Sequence, residues 1–492
     1  MGLYLLHLHL HGLFRGHNLE LGRDADTGGQ SSYVLELARA LGERPELERL
    51  ELITRCIEDP RLSADYALRG ETLSQKVSIL RLPFGPRRYL RKEQLWPYLQ
   101  QLVNRLVLHI SLQQRRPNWI HAHYADAGWV GAQLQRRLGI PLVFTGHSLG
   151  REKQRRLLAL GQLPDQLNRD YCLDRRIAAE EAALAAASLV VASSSQEAQR
   201  QYVQYRNFHP DLPEVIPPGV DPEQFHPHGL AAEDGQISAL LTPFLREPER
   251  PCLLALSRLD RRKNIPALVA AFGSSDLLRQ HYNLVLVLGC REDLQLLEQG
   301  QRQEWQLLLE AIDRHNLYGQ VAYPKQHSRA QVPALFRWVA SRRGLFVNPA
   351  LTEPFGLTLL EAAACGVPVV ATDDGGPVDI LQRCGNGLLV NVAKEGQLRQ
   401  RLEEATAAGA PWDSWRAQGL EAVAEAYNWS AHARRYLRVA QALCGSATAP
   451  LAHQHLYGGG SRIGAPARFR KIYAPGQGYA HASLGPRLWL AK

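Results

Sequence analysis

The sequence predicts an α/β protein built from two consecutive doubly wound parallel sheets, with a ligand cleft between them. Three observations carry this expectation. Short apolar runs alternate with longer stretches of helical periodicity, which is the pattern of a parallel sheet covered on both faces. The alternation halts at the turn Pro217-Pro-Gly-Val-Asp-Pro222 and starts again at Cys252. At 492 residues, the chain is also too long for one compact core.

In the first half, strands are expected over residues 3–10, 50–54, 77–82, 119–123, 142–145, 189–193 and 214–216. The clearest helices there are 30–41 and 95–113. The second series reads as strands over 252–257, 284–288, 345–349 and 368–372, with helices over 266–272, 304–315 and 358–365. The domain plan is therefore 1–222 for the first domain, a polar linker over 223–250, a second domain over 251–430 and a closing helix over 431–444. The helical pattern of that last part starts at Trp412. Residues 445–492 are rich in Gly, Ala, Pro, Arg and His and read as a basic tail, disordered because it lacks a core of its own.

Composition narrows the function. Hydrophobic residues make up 45% and charged residues 21%, ordinary for a globular enzyme. No apolar run approaches the roughly 18 residues needed to span a bilayer. The start, Met1-Gly-Leu-Tyr-Leu-Leu-His7, has no basic region and reads as a buried strand rather than a signal peptide. Leu6 stands where myristoylation would need Ser or Thr. Seven scattered cysteines without a C-x-x-C pair argue against a disulfide scaffold or a zinc site and suit a reducing cytoplasm. The net charge of +9 is carried mainly by arginine, with only eight lysines among 57 basic residues. No zinc-finger, ribonucleoprotein or basic-helix pattern accompanies it, so phosphate-bearing small substrates are expected, and neither nucleic acid nor a membrane as partner.

The segment Glu353-Pro-Phe-Gly-Leu-Thr-Leu-Leu-Glu361 follows a strand and opens a helix. A helix start offers unpaired N–H groups and a positive dipole end to a diphosphate or to sugar hydroxyls. Gly356 lets the backbone approach a ligand, and Glu361 lies about two turns beyond Glu353, so both carboxylates could face one cleft. The downstream Asp374-Gly-Gly-Pro377 supports a ligand loop over a plain acidic helix start.

At these residues the chain resembles retaining glycosyltransferases of the GT-B fold, two Rossmann-like domains facing a central cleft, and among them the sucrose-phosphate synthases. The resemblance runs over about residues 3–440. Its most specific part is His11-Gly-Leu-Phe-Arg-Gly-His-Asn-Leu-Glu-Leu-Gly-Arg-Asp-Ala-Asp-Thr-Gly-Gly-Gln30, which sucrose synthases share with sucrose-phosphate synthases. Gly28 and Gly29 would let backbone N–H groups reach the donor phosphate and the acceptor, with Gln30 beginning a helix. Ser257-Arg-Leu-Asp-Arg-Arg-Lys-Asn264 matches the family R-x4-K pattern, which implies that Arg258 and Lys263 hold the leaving diphosphate. His147, in Phe144-Thr-Gly-His147, matches the family histidine beside the transferred sugar.

The resemblance further implies that Glu353, Phe355, Gly356 and Leu357 orient the donor sugar and that Glu361 takes the nucleotide ribose. It assigns the acceptor phosphate to Lys92, Lys153 and the Arg175-Arg176 pair. Only one arginine of that pair is expected to face the cleft, Arg176 favoured by the helix that follows.

These motifs imply glucose transfer from a nucleotide diphosphate, UDP-glucose favoured, to fructose 6-phosphate with retention of configuration. A sucrose synthase using free fructose is the nearest alternative, and a silent polyanion-binding protein using the tail is a remote one. No permanently bound cofactor is implied, and a divalent cation is expected to stimulate at most. A separate sucrose-phosphate phosphatase is the implied partner enzyme, because relatives' fused phosphatase-like domain has no counterpart here. Two further patterns are set aside. His7-Leu-His-Leu-His11 puts three histidines on one strand face, but no carboxylate follows at metal spacing. Asp24-Ala-Asp26-Thr27 mimics a phosphatase motif without the apolar strand that must precede it.

Overall fold

The computed structural model describes residues 2–444 apart from Leu21, Gly22, Ala25, Leu160, Leu230 and Glu298; the expected tail 445–492 lies outside the described residues. Two sheets organise it. The first has eight strands: β1 (Leu3–Leu8), β2 (Leu47–Arg55), β3 (Gly70–Thr72), β4 (Val77–Leu82), β5 (Trp119–His123), β6 (Leu142–Thr145), β7 (Ala187–Ala192) and β8 (Pro213–Val215). Their order is β3-β4-β2-β1-β5-β6-β7-β8, with β3 alone antiparallel to its neighbour. The second sheet has six parallel strands: β9 (Cys252–Leu256), β10 (Asn283–Val287), β11 (Val321–Ala322), β12 (Leu345–Asn348), β13 (Val369–Thr372) and β14 (Gly387–Val390). Their order is β11-β10-β9-β12-β13-β14.

Side-chain alternation along a strand feeds both faces. Leu6, Leu8, Ile120, Ala122, Leu142 and Phe144 build one core of the first sheet, while Leu5, Leu50, Leu52, Trp119, Val143 and Leu189 build the other. The second sheet likewise separates Leu254, Val285, Phe346 and Val369 from Leu253, Leu284, Leu345 and Val370. In both sheets the chain reverses its direction of winding, at β1/β5 and at β9/β12. Such switch points leave a crevice at the carboxyl ends of the strands, where ligands of open α/β sheets bind.

The structure departs from the expected boundaries for identifiable reasons. β1 stops at Leu8, so His9 and His11 lie beyond the strand, not on one face with His7. The helix expected over 95–113 starts at Leu99, because Pro97 sits in a preceding 3-10 turn, Trp96–Tyr98. The stretch expected as a linker, 223–250, holds the helix Ala231–Leu241, whose Ile237 and Leu241 join the second domain's core. Arg337 reaches Glu233 at 2.8 Å and the Trp338 indole donates to Ser238 Oγ at 3.0 Å, which fixes that helix.

The carboxy-terminal stretch is two helices, Trp412–Ala426 and Trp429–Cys444. The first closes on the second domain through Val423. The second returns to the first sheet, where Ala433, Tyr436, Leu437 and Ala440 pack among Leu5, Tyr33 and Trp119. Trp119 Nε1 donates to the Tyr436 hydroxyl at 2.8 Å, and His432 Nδ1 lies 2.7 Å from the Pro217 carbonyl. No helix of the described residues is long and apolar enough to cross a membrane.

Candidate active site

Four of the motifs read as functional follow the carboxyl end of a strand, three of them at a switch-point strand, while Lys92, Lys153 and the Arg175-Arg176 pair lie on a 3-10 turn and on helices. Gly28 and Gly29 end the loop after β1, and His147 follows β6. Arg258 and Lys263 follow β9, and Glu353 follows β12.

The side expected to hold the donor is built around Glu353. Lys263, half-buried at the end of a 3-10 turn, places Nζ 2.7 Å from Glu353 Oε2. Asn348, the last residue of β12, donates to the same oxygen from 3.1 Å. The turn is tied to the neighbouring loop, since Leu351 N–H donates to the Arg262 carbonyl at 2.8 Å and Asn264 Nδ2 donates to the Pro349 carbonyl at 3.1 Å. Arg258 is exposed and has no side-chain partner among the described residues, so its guanidinium is available to an incoming anion.

Phe355, Gly356 and Leu357 lead into the helix Leu357–Ala364, which Gly356 opens with φ +99°. Its first turn holds no acidic residue and leaves its N–H groups to a ligand. Glu361 stands one turn further on, and burial pushes its carboxyl up to about 7 against the pull of Arg329. No hydrogen bond or ion pair among the described residues joins Glu361 to Glu353.

The Asp374-Gly-Gly turn acts as the clamp of this loop. Glu353 N–H donates to the Asp374 carbonyl at 3.0 Å, and Gly376 N–H donates to the Glu353 carbonyl at 2.9 Å. Gly375 has φ +117°, and a β-carbon there would stand 1.8 Å from the Glu353 carbonyl oxygen. Gly375→Ala is therefore expected to displace the loop, with backbone strain of at least about 1–3 kcal/mol and a lower thermal midpoint. The donor KM should rise roughly tenfold, the factor that 1.4 kcal/mol of lost binding represents. A thermal midpoint and a donor KM both equal to those of the parent protein would refute this reading.

Gly28 caps the helix Gly29–Gly42, with φ −143°, a conformation open to any residue. A β-carbon at Gly28 or Gly29 would meet nothing within 4 Å. The glycines therefore keep space open before a helix N-terminus, which suits the approach of an anion. Gln30 is turned into the scaffold: Nε2 lies 3.0 Å from His9 Nδ1 and 3.4 Å from the His123 carbonyl.

His147 is held in a left-handed conformation, φ +56°, with Nε2 3.0 Å from His123 Nδ1 and its ring edge-on to Tyr33. Burial, aided by His11, pushes its imidazole down to about 3, so it is neutral. His11 itself pairs with Asp126, Nδ1 to Oδ2 2.8 Å, both buried.

The cations expected to meet the acceptor phosphate divide into those with a carboxylate partner and those without one. Lys92 Nζ is bonded to Asp26 Oδ1 and lies 3.4 Å from Glu93. Burial would raise the Asp26 carboxyl, but the Lys92 ammonium outweighs it and holds the group below its usual range. Arg176 is 4% exposed, which demands a partner; Glu180 accepts from its Nε at 3.0 Å and the Ser148 carbonyl from Nη2 at 2.5 Å, with the guanidinium over the Tyr124 ring. Arg175, one residue earlier, is exposed and makes no contact with these groups. Lys153 rests 3.5 Å over the Tyr171 ring and has no carboxylate partner among the described residues. Burial first, then Arg176 and Lys92, push its ammonium down to about 8; Glu93 opposes them in part, and Arg262 of the second domain adds a smaller push.

The first-domain segment that follows β7 and the donor loop are joined directly. Ser195 N–H donates to Asp379 Oδ2 at 2.5 Å and Gln196 Nε2 to Asp374 Oδ1 at 2.7 Å, while Arg156, on the helix Gly150–Ala159 after β6, donates from Nη2 to Thr352 Oγ1 at 3.3 Å. Asn348, Arg329 and Asp126 are site features outside the motifs, and His11 and Asp26, although within the loop motif, carry no role in the sequence reading. Asn348 had one local signal, an amide closing an otherwise apolar strand.

Residues 242–417 match the family model described as glycosyl transferases group 1, and residues 27–224 match that of glycosyltransferase family 4. The chain is 40% identical to a probable sucrose-phosphate synthase of Solanum tuberosum and to a sucrose-phosphate synthase of Zea mays. In each case 88% of this chain aligns with 47% of the relative. The chain thus spans about half the length of the curated relatives it matches. Among solved structures, a sucrose-phosphate synthase from Thermosynechococcus elongatus superposes with a TM-score of 0.68 at 26% identity, over 90% of this chain and 100% of that one. Anabaena HepE in complex with UDP and glucose superposes with a TM-score of 0.60 at 18% identity, over 89% and 99% of the two chains, a likeness of fold.

Proposed function

We propose, for a chain that belongs to the GT-B glycosyltransferases and is a homologue of the sucrose-phosphate synthases, the transfer of glucose from a nucleotide diphosphate, preferably UDP-glucose, to fructose 6-phosphate. The product is sucrose 6-phosphate with the anomeric configuration retained. The observation that carries this reading is the division of cations along the cleft: Arg258 and Lys263 lie beside the donor loop, and Lys153 lies unpaired on the first domain beside Arg176 and Lys92.

In the reaction, the bond from the anomeric carbon to the diphosphate oxygen breaks while the acceptor hydroxyl oxygen bonds to the same face of that carbon. The acceptor proton passes to the departing diphosphate, so no enzymic nucleophile is required. Phosphate charge grows as the bond breaks, and Arg258 and Lys263 then stabilise the transition state more than the ground state. Glu353, fixed by Lys263 and Asn348, and the backbone of Phe355, Gly356 and Leu357 orient the glucose hydroxyls. Glu361 accepts from the ribose. Neutral His147 lies beside the sugar, where a protonated ring would oppose its developing positive charge. Gly28, Gly29 and Gln30 border donor and acceptor, and Lys153 takes the acceptor phosphate with help from Lys92 and Arg176. Exclusion of water by closure of the cleft keeps the transfer from becoming hydrolysis.

The transfer needs no permanently bound cofactor, and a divalent cation stimulates it without being essential. The product passes to a separate phosphatase, in a reducing cytoplasm that suits six unpaired described cysteines. One observation favours a second reading, transfer to free fructose: Lys92 and Arg176 are already neutralised by Asp26 and Glu180. Turnover of UDP-glucose with fructose 6-phosphate against fructose distinguishes the two. The proposal requires a preference of at least about 100-fold in kcat/KM for the phosphorylated acceptor, the worth of roughly 2.7 kcal/mol, and equal turnover would overturn it.

A further inference from the structure

His7, His121 and His123 are fully buried on one face of the first sheet, beneath the closing helix Trp429–Cys444. His7 on β1 is the register partner of His121 on β5, and His123 stands two residues on, so all three rings project from the same face. Each offers a nitrogen within 4.8 Å of the other two. The ring centroids lie 4.0 Å apart for His121 and His123, 4.9 Å for His7 and His121, and 5.5 Å for His7 and His123.

The hydrogen bonds of these rings are incomplete in a particular way. His121 Nε2 meets Thr145 Oγ1 at 2.9 Å, and His123 Nδ1 meets His147 Nε2 at 3.0 Å. Their other nitrogens, His121 Nδ1 and His123 Nε2, have no partner among the described residues, and neither does either nitrogen of His7. Dry, unpaired polar atoms are costly, and here four of them gather in one cluster. The Tyr436 ring stacks on His121 at 5.2 Å and stands edge-on to His7, covering the cluster from water. Burial holds all three rings in the neutral form, the form that ligates metals.

We infer that His7, His121 and His123 form a structural binding site for a late transition-metal ion, of the Zn2+ or Cu+ type, held by three imidazole nitrogens. Neutral nitrogen donors without a carboxylate among them select such borderline or soft ions over Mg2+ or Ca2+. Metal–nitrogen bonds of about 2.0–2.1 Å place ligand nitrogens roughly 3.4–3.6 Å apart, so small ring rotations that draw the trio together complete the site. The covered position leaves no approach for substrate, which makes the ion a brace between β1 and β5 and not a Lewis acid.

The brace would reach the active site through one hydrogen bond. A metal on His123 Nε2 leaves its proton on Nδ1, so Nδ1–H donates to His147 Nε2 and the His147 proton is confined to its own Nδ1. This is the way an outer ligand orients an inner group, run from the metal outward. That consequence for His147 rests on the glycosyl-transfer reading; the metal site does not.

The test is metal content. The full chain is expressed in medium supplemented with Zn2+ or, separately, with Cu2+, which the reductants of the host cell convert to Cu+, and is also refolded with Co2+ as a spectroscopic probe. Roughly one ion per chain is expected after gel filtration, with Co2+ absorption bands of a low-coordinate nitrogen site and a higher thermal midpoint than the chelator-treated protein. His7→Phe and His121→Phe should each lower occupancy at least tenfold, while His17→Ala, an exposed control, should leave it unchanged. If the phenylalanine variants do not fold, His7→Gln serves in their place. Wild-type protein without stoichiometric metal under every loading condition would overturn the inference, and so would occupancy undiminished in the His7 and His121 variants. Loss of fructose 6-phosphate activity with metal content intact would instead count against the functional reading alone.

Discussion

Lys263→Ala is expected to lower kcat with UDP-glucose and fructose 6-phosphate by about 10²–10³-fold, the range seen when one preorganised group facing developing charge is removed. Two effects combine. The ammonium is the cation fixed nearest the donor loop, 2.7 Å from Glu353 Oε2, so its loss removes positive charge from the place where the diphosphate gains negative charge. Glu353 is then left to Asn348 alone, at 3.1 Å, and the carboxylate proposed to orient the glucose hydroxyls is free to turn.

Because the charge builds up only as the bond breaks, kcat should fall far more than the donor KM rises. Lys263→Arg should recover part of the loss, since the charge is kept while the short reach to Glu353 is not. Arg258→Ala should be similarly damaging. The double variant should be less than multiplicative, because both cations serve one leaving group. Steady-state kinetics decide this. A kcat for Lys263→Ala within threefold of the parent would sink the assignment.

Much of this site was legible because its parts are local. A strand that ends in Asn348 and a helix opened by Gly356 bracket seven residues whose turn chemistry is written in Glu-Pro-Phe-Gly. The R-x4-K pattern likewise stays within one short loop after β9, with Lys263 closing the 3-10 turn Arg261–Lys263. What the sequence concealed was pairing at a distance. Lys92 looks like a free phosphate ligand until the fold brings Asp26, 66 residues earlier, against it. Arg176 is a different case, since Glu180 lies four residues on along the same helix and the pair could have been read as an internal ion pair.

The histidines mark the sharpest limit. Along the chain, His7, His9 and His11 seem to share a face, but the strand ends after Leu8, and the true neighbours of His7 are supplied by β5 through sheet register. The helix Ala231–Leu241 escaped notice for a related reason. Its sequence has little amphipathic contrast, and only packing of Ile237 and Leu241 against the second sheet makes it part of a domain.

Lys153→Met should separate acceptor from donor function. Arg176 and Lys92 crowd Lys153 and Glu93 offsets them only in part, which is unfavourable until an anion arrives, and a phosphate dianion is the anion that the proposed acceptor supplies. Removing the ammonium forfeits a charge-assisted hydrogen bond worth about 1.5–3 kcal/mol, so KM for fructose 6-phosphate should rise roughly 10- to 150-fold. Turnover of free fructose, however slow, should stay the same.

The pH dependence supplies a second, independent reading. Burial and the neighbouring Arg176 and Lys92 push the Lys153 ammonium down to about 8. It is therefore charged below that pH and loses its proton as pH rises through it. Binding the dianion stabilises the charged form, so above pH 8 association must take up a proton, and KM for fructose 6-phosphate should climb toward tenfold per pH unit, the limit for one linked proton. The rise should be absent with free fructose and absent in Lys153→Met. Parallel pH profiles for the two acceptors would show that the lysine does not meet the phosphate, and would shift the reading toward transfer to free fructose.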